Sequence, residues 1–283
     1  MAGREQAVGT RLISPNDWQL VVELLLLGGV AGFLAGLLGI GGGAMLVPFM
    51  TIVLSFKNMP PQHIVKMAVA TSLATICFTS MASLRAHHQR GAVHWSVVRL
   101  LAPGIVLGAL LGAQIAKALP AAALAMLFAV FLAFSAMQIF FDRKPKPGRL
   151  MPQGGALFGL GGVVGVISTL VGAGGAFITV PIMVACNVPI INAVATSAAL
   201  GFPIAVAGTA GYIIAGWSLH DMPPGAVGYL YLPALFTLAA ASMLAAPWGA
   251  RAAHRMNVRQ LKRAFACLLL ALSGYMLAKG LGG

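Results

Sequence analysis

Apolar positions in the chain form eight long stretches separated by short polar segments. The stretches cover residues 19–56, 67–84, 97–118, 120–141, 154–186, 193–216, 227–250 and 263–281. A helix needs about 20 residues to cross the hydrocarbon core of a bilayer, so most of the stretches have the length of one crossing. The first and the fifth are too long for one crossing, and glycines interrupt both near the middle. The pattern predicts an all-α polytopic membrane protein in which each long stretch is divided into two short helices.

The two glycine interruptions belong to an internal repeat. The segment from Gly39 to Pro48, G-I-G-G-G-A-M-L-V-P, aligns with the segment from Gly172 to Pro181, G-A-G-G-A-F-I-T-V-P. Each segment is followed by the same pentapeptide, A-V-A-T-S, at 68–72 and again at 193–197. Landmarks that recur in the same order indicate a duplicated structural unit.

A third repeated feature is the pair Gly112-Ala113, which corresponds to Gly249-Ala250. Each pair precedes the last apolar stretch of its half. The landmarks divide the chain into a polar N-terminal segment (1–18), a first transmembrane repeat (19–141), a basic cytoplasmic linker (142–153) and a second transmembrane repeat (154–283).

Loop charges indicate that the second repeat is inverted relative to the first. Five membrane elements in each repeat, an odd number, would turn the second repeat upside down. Twelve of the 18 Lys and Arg residues then lie on one side and six on the other, whereas parallel repeats of four elements would divide them ten to eight. Because positive loops stay in the cytoplasm, inversion is favoured, although Lys57 and Lys66 fall on the opposite side. The basic loops predicted to be cytoplasmic are 85–99, 142–150 and 251–263.

The composition excludes several classes of protein. Only 8% of residues are charged and 59% are hydrophobic, whereas about a quarter of a soluble domain is charged. The net charge of +13 comes from short runs between apolar stretches, so we expect contact with a lipid bilayer and not with nucleic acid. The three cysteines are scattered and no catalytic or phosphate-binding motif is present, so we expect no metal, no cofactor and no enzymatic activity.

A short apolar half-helix follows the glycines at each interruption, so the glycine N–H groups open its N-terminus. Freed backbone groups inside a membrane are tolerated only where protein or a wet cavity surrounds them, and a helix N-terminus favours an anion. Inverted repeats would bring both termini together near mid-membrane, as in many secondary transporters. Close helix packing is the alternative role, which we expect for Gly28-x-x-x-Gly32-x-x-x-Gly36 and Gly155-x-x-x-Gly159. The candidate substrate-binding residues at the breaks are Gly39, Gly41, Gly42, Gly43, Gly172, Gly174, Gly175 and Ala176.

The hydroxyls of the repeated pentapeptide are the second group of candidates. They belong to Thr71, Ser72, Thr196 and Ser197. Each could donate to an oxyanion, or could cap a helix or bond back to its own helix.

Isolated polar residues form a third group. Glu23 is either a proton carrier or an interfacial residue, and we favour the interface because it lies only a few residues into the first stretch. Arg85 could draw anions toward a mouth of the protein, and Asn192 could line a vestibule. Five acidic residues in total argue against a cation pathway, which would need carboxylate rings. An uncharged cavity framed by helix N-termini suits a small oxyanion.

The doubled Gly-rich segment before Val-Pro, each copy followed by A-V-A-T-S, resembles the TauE/SafE family of sulfite and organosulfonate exporters. The likeness extends from about residue 20 to 281. It implies export of sulfite or an organosulfonate such as sulfoacetate across a bacterial cytoplasmic membrane, with the Gly-rich segments and the Thr-Ser pairs around the substrate. Gly43 is replaced by Ala176 in the second copy, so the two halves need not contribute equally.

The main interpretation is therefore a secondary anion transporter that works by alternating access. An anion channel or uniporter using the same site is one alternative, and a transporter of carboxylates such as lactate is another. A membrane enzyme and a cation permease are disfavoured by the missing nucleophile and the few carboxylates. A homo-oligomer is compatible with the sequence but is not indicated by it.

Overall fold

The computed structural model describes residues 15–38, 43–56, 59–141, 148, 151–152, 154–219, 221–253 and 258–282. Within these ranges the chain forms ten helices and one short antiparallel hairpin. The helices are α1 (Pro15–Leu38), α2 (Gly43–Phe56), α3 (Pro61–Gln89), α4 (Trp95–Ala118), α5 (Ala121–Phe141), α6 (Gly155–Leu170), α7 (Ala176–Ala185), α8 (Ile190–Gly216), α9 (Leu232–Ala253) and α10 (Val258–Leu281). The hairpin strands are β1 (Ala226–Val227) and β2 (Leu230–Tyr231).

The predicted division of the two long apolar stretches is confirmed. The first stretch forms α1 and α2, and the fifth forms α6 and α7, so each half contributes five helices. Six helices of the described chain, α3, α4, α5, α8, α9 and α10, are long and apolar enough to cross a membrane by length and composition, and shorter apolar segments occur in α1, α2, α6 and α7. The prediction of an all-α polytopic membrane protein is therefore confirmed. Most of the predicted linker, 142–147, 149–150 and 153, lies outside the described residues.

The two halves interlock instead of forming separate domains. The first helix of each half packs against the fourth helix of the other, so that α1 lies on α9 and α6 lies on α4. The two third helices, α3 and α8, pack against each other, as do the two fifth helices, α5 and α10. This exchange gives the contacts an approximate two-fold relation that follows the sequence repeat.

The two pairs of corresponding helices that pack closely on each other, α3 with α8 and α5 with α10, run antiparallel. A side chain on Gly201 of α8 would lie 3.6 Å from the Ser80 Cβ of α3, and one on Gly208 would lie 2.9 Å from Leu73 Cδ1, so residue numbers rise on one helix as they fall on the other. In α5 and α10, Ser273 Oγ donates to the Ala129 carbonyl at 2.7 Å, while Gly280 lies against Met126.

Glycines allow the closest of these helix contacts. A Cβ on Gly28 of α1 would lie 3.0 Å from the Leu238 carbonyl oxygen of α9, and a Cβ on Gly32 would overlap the backbone of Ser242. The packing role predicted for Gly28 and Gly32 is confirmed. Gly161 and Gly165 of α6 are the counterparts of Gly28 and Gly32 in the alignment of the two breaks. They make the equivalent backbone contacts with α4.

The packing prediction for Gly155 and Gly159 is wrong. Among the described residues, a Cβ on either glycine would meet no atom within 4 Å. The spacing of glycines identifies a row of residues without side chains along a helix. The rotation of the helix decides which row contacts a neighbouring helix.

The start of α9, the fourth helix of the second half, also differs between prediction and structure. The apolar stretch begins at residue 227, whereas α9 begins at Leu232, after the hairpin. Gly228 has a φ of +57° and lies directly against the Ile213 backbone, where a side chain would overlap the main chain. The left-handed backbone at Gly228 stops a helix at this point.

Filling the α4–α6 contact should destabilise the protein. In Gly165→Val the new side chain would overlap the Ile105 carbonyl, so we expect a loss of about 1–3 kcal/mol or more and a lower yield of monodisperse protein in detergent. The matched control is Gly159→Val on the same helix, which should fold normally. Size-exclusion chromatography and thermal unfolding measure both, and equal behaviour of the two variants would contradict the packing role.

Candidate functional site

Each half contains one short helix that begins at the glycine break and carries a proline at its sixth position. These helices are α2 with Pro48 and α7 with Pro181. Between α6 and α7 the chain turns through Gly172, with a φ of +60°, and Gly175, with a φ of +76°. This left-handed backbone favours glycine. At the first break, the candidates Gly39, Gly41 and Gly42 lie outside the described residues.

The two breaks meet at Ser72. The Ser72 hydroxyl lies 3.2 Å from the carbonyl oxygen of Gly43 and 3.2 Å from that of Gly172, so its one hydrogen is shared between the halves. A Cβ on Gly43 would lie 3.0 Å from the Gly172 oxygen, and a Cβ on Gly172 would lie 2.7 Å from Val47 Cγ2. The breaks approach so closely because their glycines have no side chains.

Ser197, the counterpart of Ser72, also serves a break. Its hydroxyl lies 2.6 Å from the Thr179 hydroxyl, which in turn donates to the Gly175 carbonyl at 3.0 Å. Both pentapeptide serines are fully buried. In this conformation the hydroxyl hydrogens of Ser72 and Ser197 are directed to protein oxygens and are not free to donate to a ligand.

The pentapeptide threonines have a different arrangement. The Thr71 hydroxyl oxygen accepts a hydrogen bond of 3.2 Å from the backbone N–H of Tyr231, immediately before α9. The Thr196 hydroxyl oxygen accepts one of 3.0 Å from the backbone N–H of His94, immediately before α4. Each threonine therefore fastens the start of the fourth helix of the other half, which is a capping role.

Two hydroxyls beside the second break have no such partner. Ser168 and Thr169, near the end of α6, are 1% and 0% exposed, and neither hydroxyl has a hydrogen-bond partner within the described residues. A Cβ on Gly175 would lie 3.2 Å from Ser168 Oγ, so this hydroxyl adjoins the N-terminus of α7. Leaving a buried hydroxyl unpaired costs about 1–3 kcal/mol. Such exceptions in a folded protein call for an explanation.

Sequence reasoning missed Ser168 and Thr169, although the repeat contained a signal for them. The alignment of the two breaks places Ala35 and Gly36 at the corresponding positions of the first half. A pair of hydroxyls in one copy where the other copy has small apolar residues marks a polar group that the shared scaffold does not require.

The N-terminus of α7 supplies further donors. The N–H groups of Ile178 and Thr179 donate to the Gly175 carbonyl, while those of Ala176 and Phe177 belong to the first turn and have no acceptor within the helix. The first turn contains no acidic residue. The positive end of the helix dipole therefore faces the Ser168 hydroxyl without a carboxylate to neutralise it.

The three candidate mouth or coupling residues lie elsewhere. Arg85 is exposed and lies more than three turns beyond Ser72 on α3. Asn192 donates to the Ala92 carbonyl at 3.0 Å and thereby ties α8 to the loop between α3 and α4. Glu23 is exposed on α1. The structure does not gather these residues at the breaks.

Two buried ionisable side chains were also missed as functional candidates. His63 and Lys66 lie in the first two turns of α3, and each residue is 7% exposed. The loop charges predict Lys66 only as a loop residue on the less basic side. A lysine so close to a pentapeptide in the centre of the fold could have been recognised as buried.

Comparison with known proteins places the chain among membrane transporters. Residues 24–276 match the family described as "Sulfite exporter TauE/SafE". The chain is 33% identical to a "Probable membrane transporter protein" of Haemophilus influenzae, over 92% of this chain and 98% of the relative. It is 25% identical to a "Probable membrane transporter protein" of Methanocaldococcus jannaschii, over 91% of this chain and 96% of the relative. No solved structure matches the chain.

Removing the capping threonine should destabilise the fold. Thr71→Val keeps the shape but removes the 3.2 Å hydrogen bond from the Tyr231 N–H to the Thr71 hydroxyl, so we expect a loss of about 1 kcal/mol in the free energy of unfolding, measured by thermal denaturation. Thr75→Val on the same helix is the control, because the Thr75 hydroxyl bonds only to the carbonyl one turn before it. If Thr75→Val costs as much as Thr71→Val, the capping role is wrong.

Proposed function

The chain belongs to the sulfite exporter TauE/SafE family, whose relatives are membrane transporters and not enzymes, and we propose that it is a secondary transporter of a small sulfur-containing anion. Sulfite or an organosulfonate such as sulfoacetate is the proposed substrate. The proposed location is a bacterial cytoplasmic membrane, with the basic loops 85–99, 142–150 and 251–263 in the cytoplasm.

The observation that carries the proposal is the meeting of the two breaks beside unpaired donors. Ser72 joins the carbonyls of Gly43 and Gly172, and the unpaired Ser168 hydroxyl adjoins the N-terminus of α7. Ligands of transporters are often held at such helix ends, where backbone N–H groups face an anionic group. We place the anion between the first turn of α7 and Ser168.

The charge at this position suits an anion and not a cation. The described acidic side chains near the membrane helices are Glu23, exposed on α1, and Asp221, on the loop between α8 and α9. Neither belongs to the breaks. A cation would face the positive end of α7 without a carboxylate, which is unfavourable in a medium of low polarity.

Alternating access requires two related halves that can move about a common site. We infer that the repeats are inverted, with a pseudo-two-fold axis in the membrane plane. The antiparallel packing of α3 on α8 and of α5 on α10 supports this inference, because inversion of a repeat reverses each of its helices. A substrate site on the axis would then face each side of the membrane in turn.

Flux measurements distinguish the transporter from the channel alternative. In proteoliposomes, sulfite flux through a transporter should saturate, and unlabelled internal sulfite should accelerate the entry of labelled sulfite. A linear current without counterflow would instead indicate a channel. Competition by sulfoacetate, sulfate and lactate ranks the substrate classes, and stronger competition by lactate would favour the carboxylate alternative.

The Ser168→Ala variant should weaken sulfite binding without lowering the stability of the protein. Removing an unpaired buried hydroxyl should leave the unfolding temperature unchanged or raise it, while the loss of a donor to an anion should weaken sulfite binding by roughly tenfold or more. Ser135→Ala is the matched control, because Ser135 of α5 is also buried and has no partner among the described residues. Wild-type affinity in Ser168→Ala, or equal losses in both variants, would exclude Ser168 from the site.

A further inference from the structure

A cluster of ionisable side chains lies at one end of α3, outside the site between the breaks. His63 and Lys66 belong to α3, and Asp221 and Tyr229 belong to the segment between α8 and α9. The Tyr229 ring is the common neighbour, since the His63 ring centroid and the Lys66 Nζ each lie 5.8 Å from its centroid. One turn of helix separates the two basic residues, so their side chains share a face of α3.

One nitrogen of His63 is paired and the other is not. Nε2 lies 2.9 Å from Asp221 Oδ2. The Asp221 side chain is 51% exposed, and the hydrogen bond from His63 holds the pKa of that carboxyl below its usual value. An ionised carboxylate only accepts, so Nε2 carries the hydrogen that it donates. Nδ1 is buried and has no hydrogen-bond partner within the described residues.

Lys66 is a buried cation without a carboxylate partner among the described residues. Its ammonium donates to the Lys117 carbonyl at 2.9 Å, at the C-terminal end of α4. That contact uses one of three donors and places the charge where the α4 dipole favours it. The remaining donors leave Lys66 able to bind an anion on the face that it shares with His63.

We propose, on the basis of the transport function proposed above, that an oxyanion binds between Lys66 and His63 and that His63 takes up a proton at Nδ1 when it does. The proton comes from solvent, and no covalent bond to the anion forms. The protonated imidazole donates through Nε2 to Asp221 and through Nδ1 to the anion. His63 thus couples the binding of the anion to the binding of a proton.

The charges around His63 account for this coupling. Asp221 is the counter-charge 2.9 Å from Nε2, and Lys66 on the same helix is a like charge to a protonated ring. Tyr229 and, behind it, Tyr212 of α8 are neutral phenols, and the Tyr229 pKa is raised by burial and by Asp221. From α4, only the Lys117 carbonyl is seen to reach the cluster in the described structure. An arriving anion offsets the charge of Lys66 and so tips the ring toward protonation.

Contacts connect this cluster to the second break. The Tyr229 and Tyr212 rings meet edge to face at 6.1 Å, and the Tyr212 hydroxyl donates to the Thr169 carbonyl at 3.3 Å. Thr169 lies beside Ser168 and three residues before Gly172. Two packed aromatic rings thus form a continuous set of contacts from His63 to the break.

Calorimetry of sulfoacetate binding to the purified full chain tests the coupling. Near neutral pH neither charge of sulfoacetate titrates, so measurements in buffers of different ionisation enthalpy report protons taken up by the protein. We expect uptake of up to about one proton per anion in the wild type, and its loss in His63→Gln. His88→Gln, at the exposed opposite end of α3, is the control and should keep the uptake. Lys66→Gln should weaken binding about tenfold, since it removes a charge-assisted donor.

A second variant covers the case in which His63→Gln does not fold. Asp221→Asn removes the counter-charge of the protonated ring, so proton uptake should move to lower pH, a change that a purely structural pair would not produce. Binding by the wild type without proton uptake, or undiminished uptake in His63→Gln, would overturn the coupling and leave the transport proposal intact. Failure of the wild type to bind either sulfoacetate or sulfite would overturn the transport proposal itself, and the coupling with it.

Discussion

The structure depends on one constraint, that a helix interrupted inside a membrane must find partners for its backbone groups within the protein. Lipid offers none, and each unpaired group is costly. Ser72 meets this requirement for two carbonyls at once, one from each half. The Gly175 carbonyl accepts the N–H groups of Ile178 and Thr179, and also the Thr179 hydroxyl, which contacts Ser197. Ser72 thus contacts both breaks, and the missing side chains of the glycines let the breaks lie close enough to share it.

The same requirement explains why the halves interlock. A half alone would leave its pentapeptide threonine without the N–H that it accepts, because that N–H precedes the fourth helix of the other half. It would also expose the packing glycines of its first helix, because they contact the fourth helix of the other half. Local contacts therefore cannot complete either half, and we expect the two to become stable only together.

The elements that sequence reasoning predicted are those fixed by length and by repetition. The two divided stretches and the five helices of each half follow from the glycines and the hydropathy pattern alone. The roles of Thr71 and Thr196 could not be predicted, because their partners lie more than one hundred residues away in the other half. Gly159 was misassigned because spacing does not fix helix rotation, and Lys66 was overlooked because a lysine near the end of an apolar stretch usually marks a loop.

The halves share a scaffold but differ in their polar groups. Ser168 and Thr169 correspond to Ala35 and Gly36, and His63 and Lys66 correspond to Val188 and Ile191 in the pentapeptide alignment. Symmetric packing would suit the alternating access proposed above, since each half could take the role of the other. The proposed anion sites, in contrast, use polar groups that only one half carries. The unpaired hydroxyls of Ser168 and Thr169 lie in the second half and the buried charges in the first, whereas the serines and threonines that hold the scaffold are duplicated.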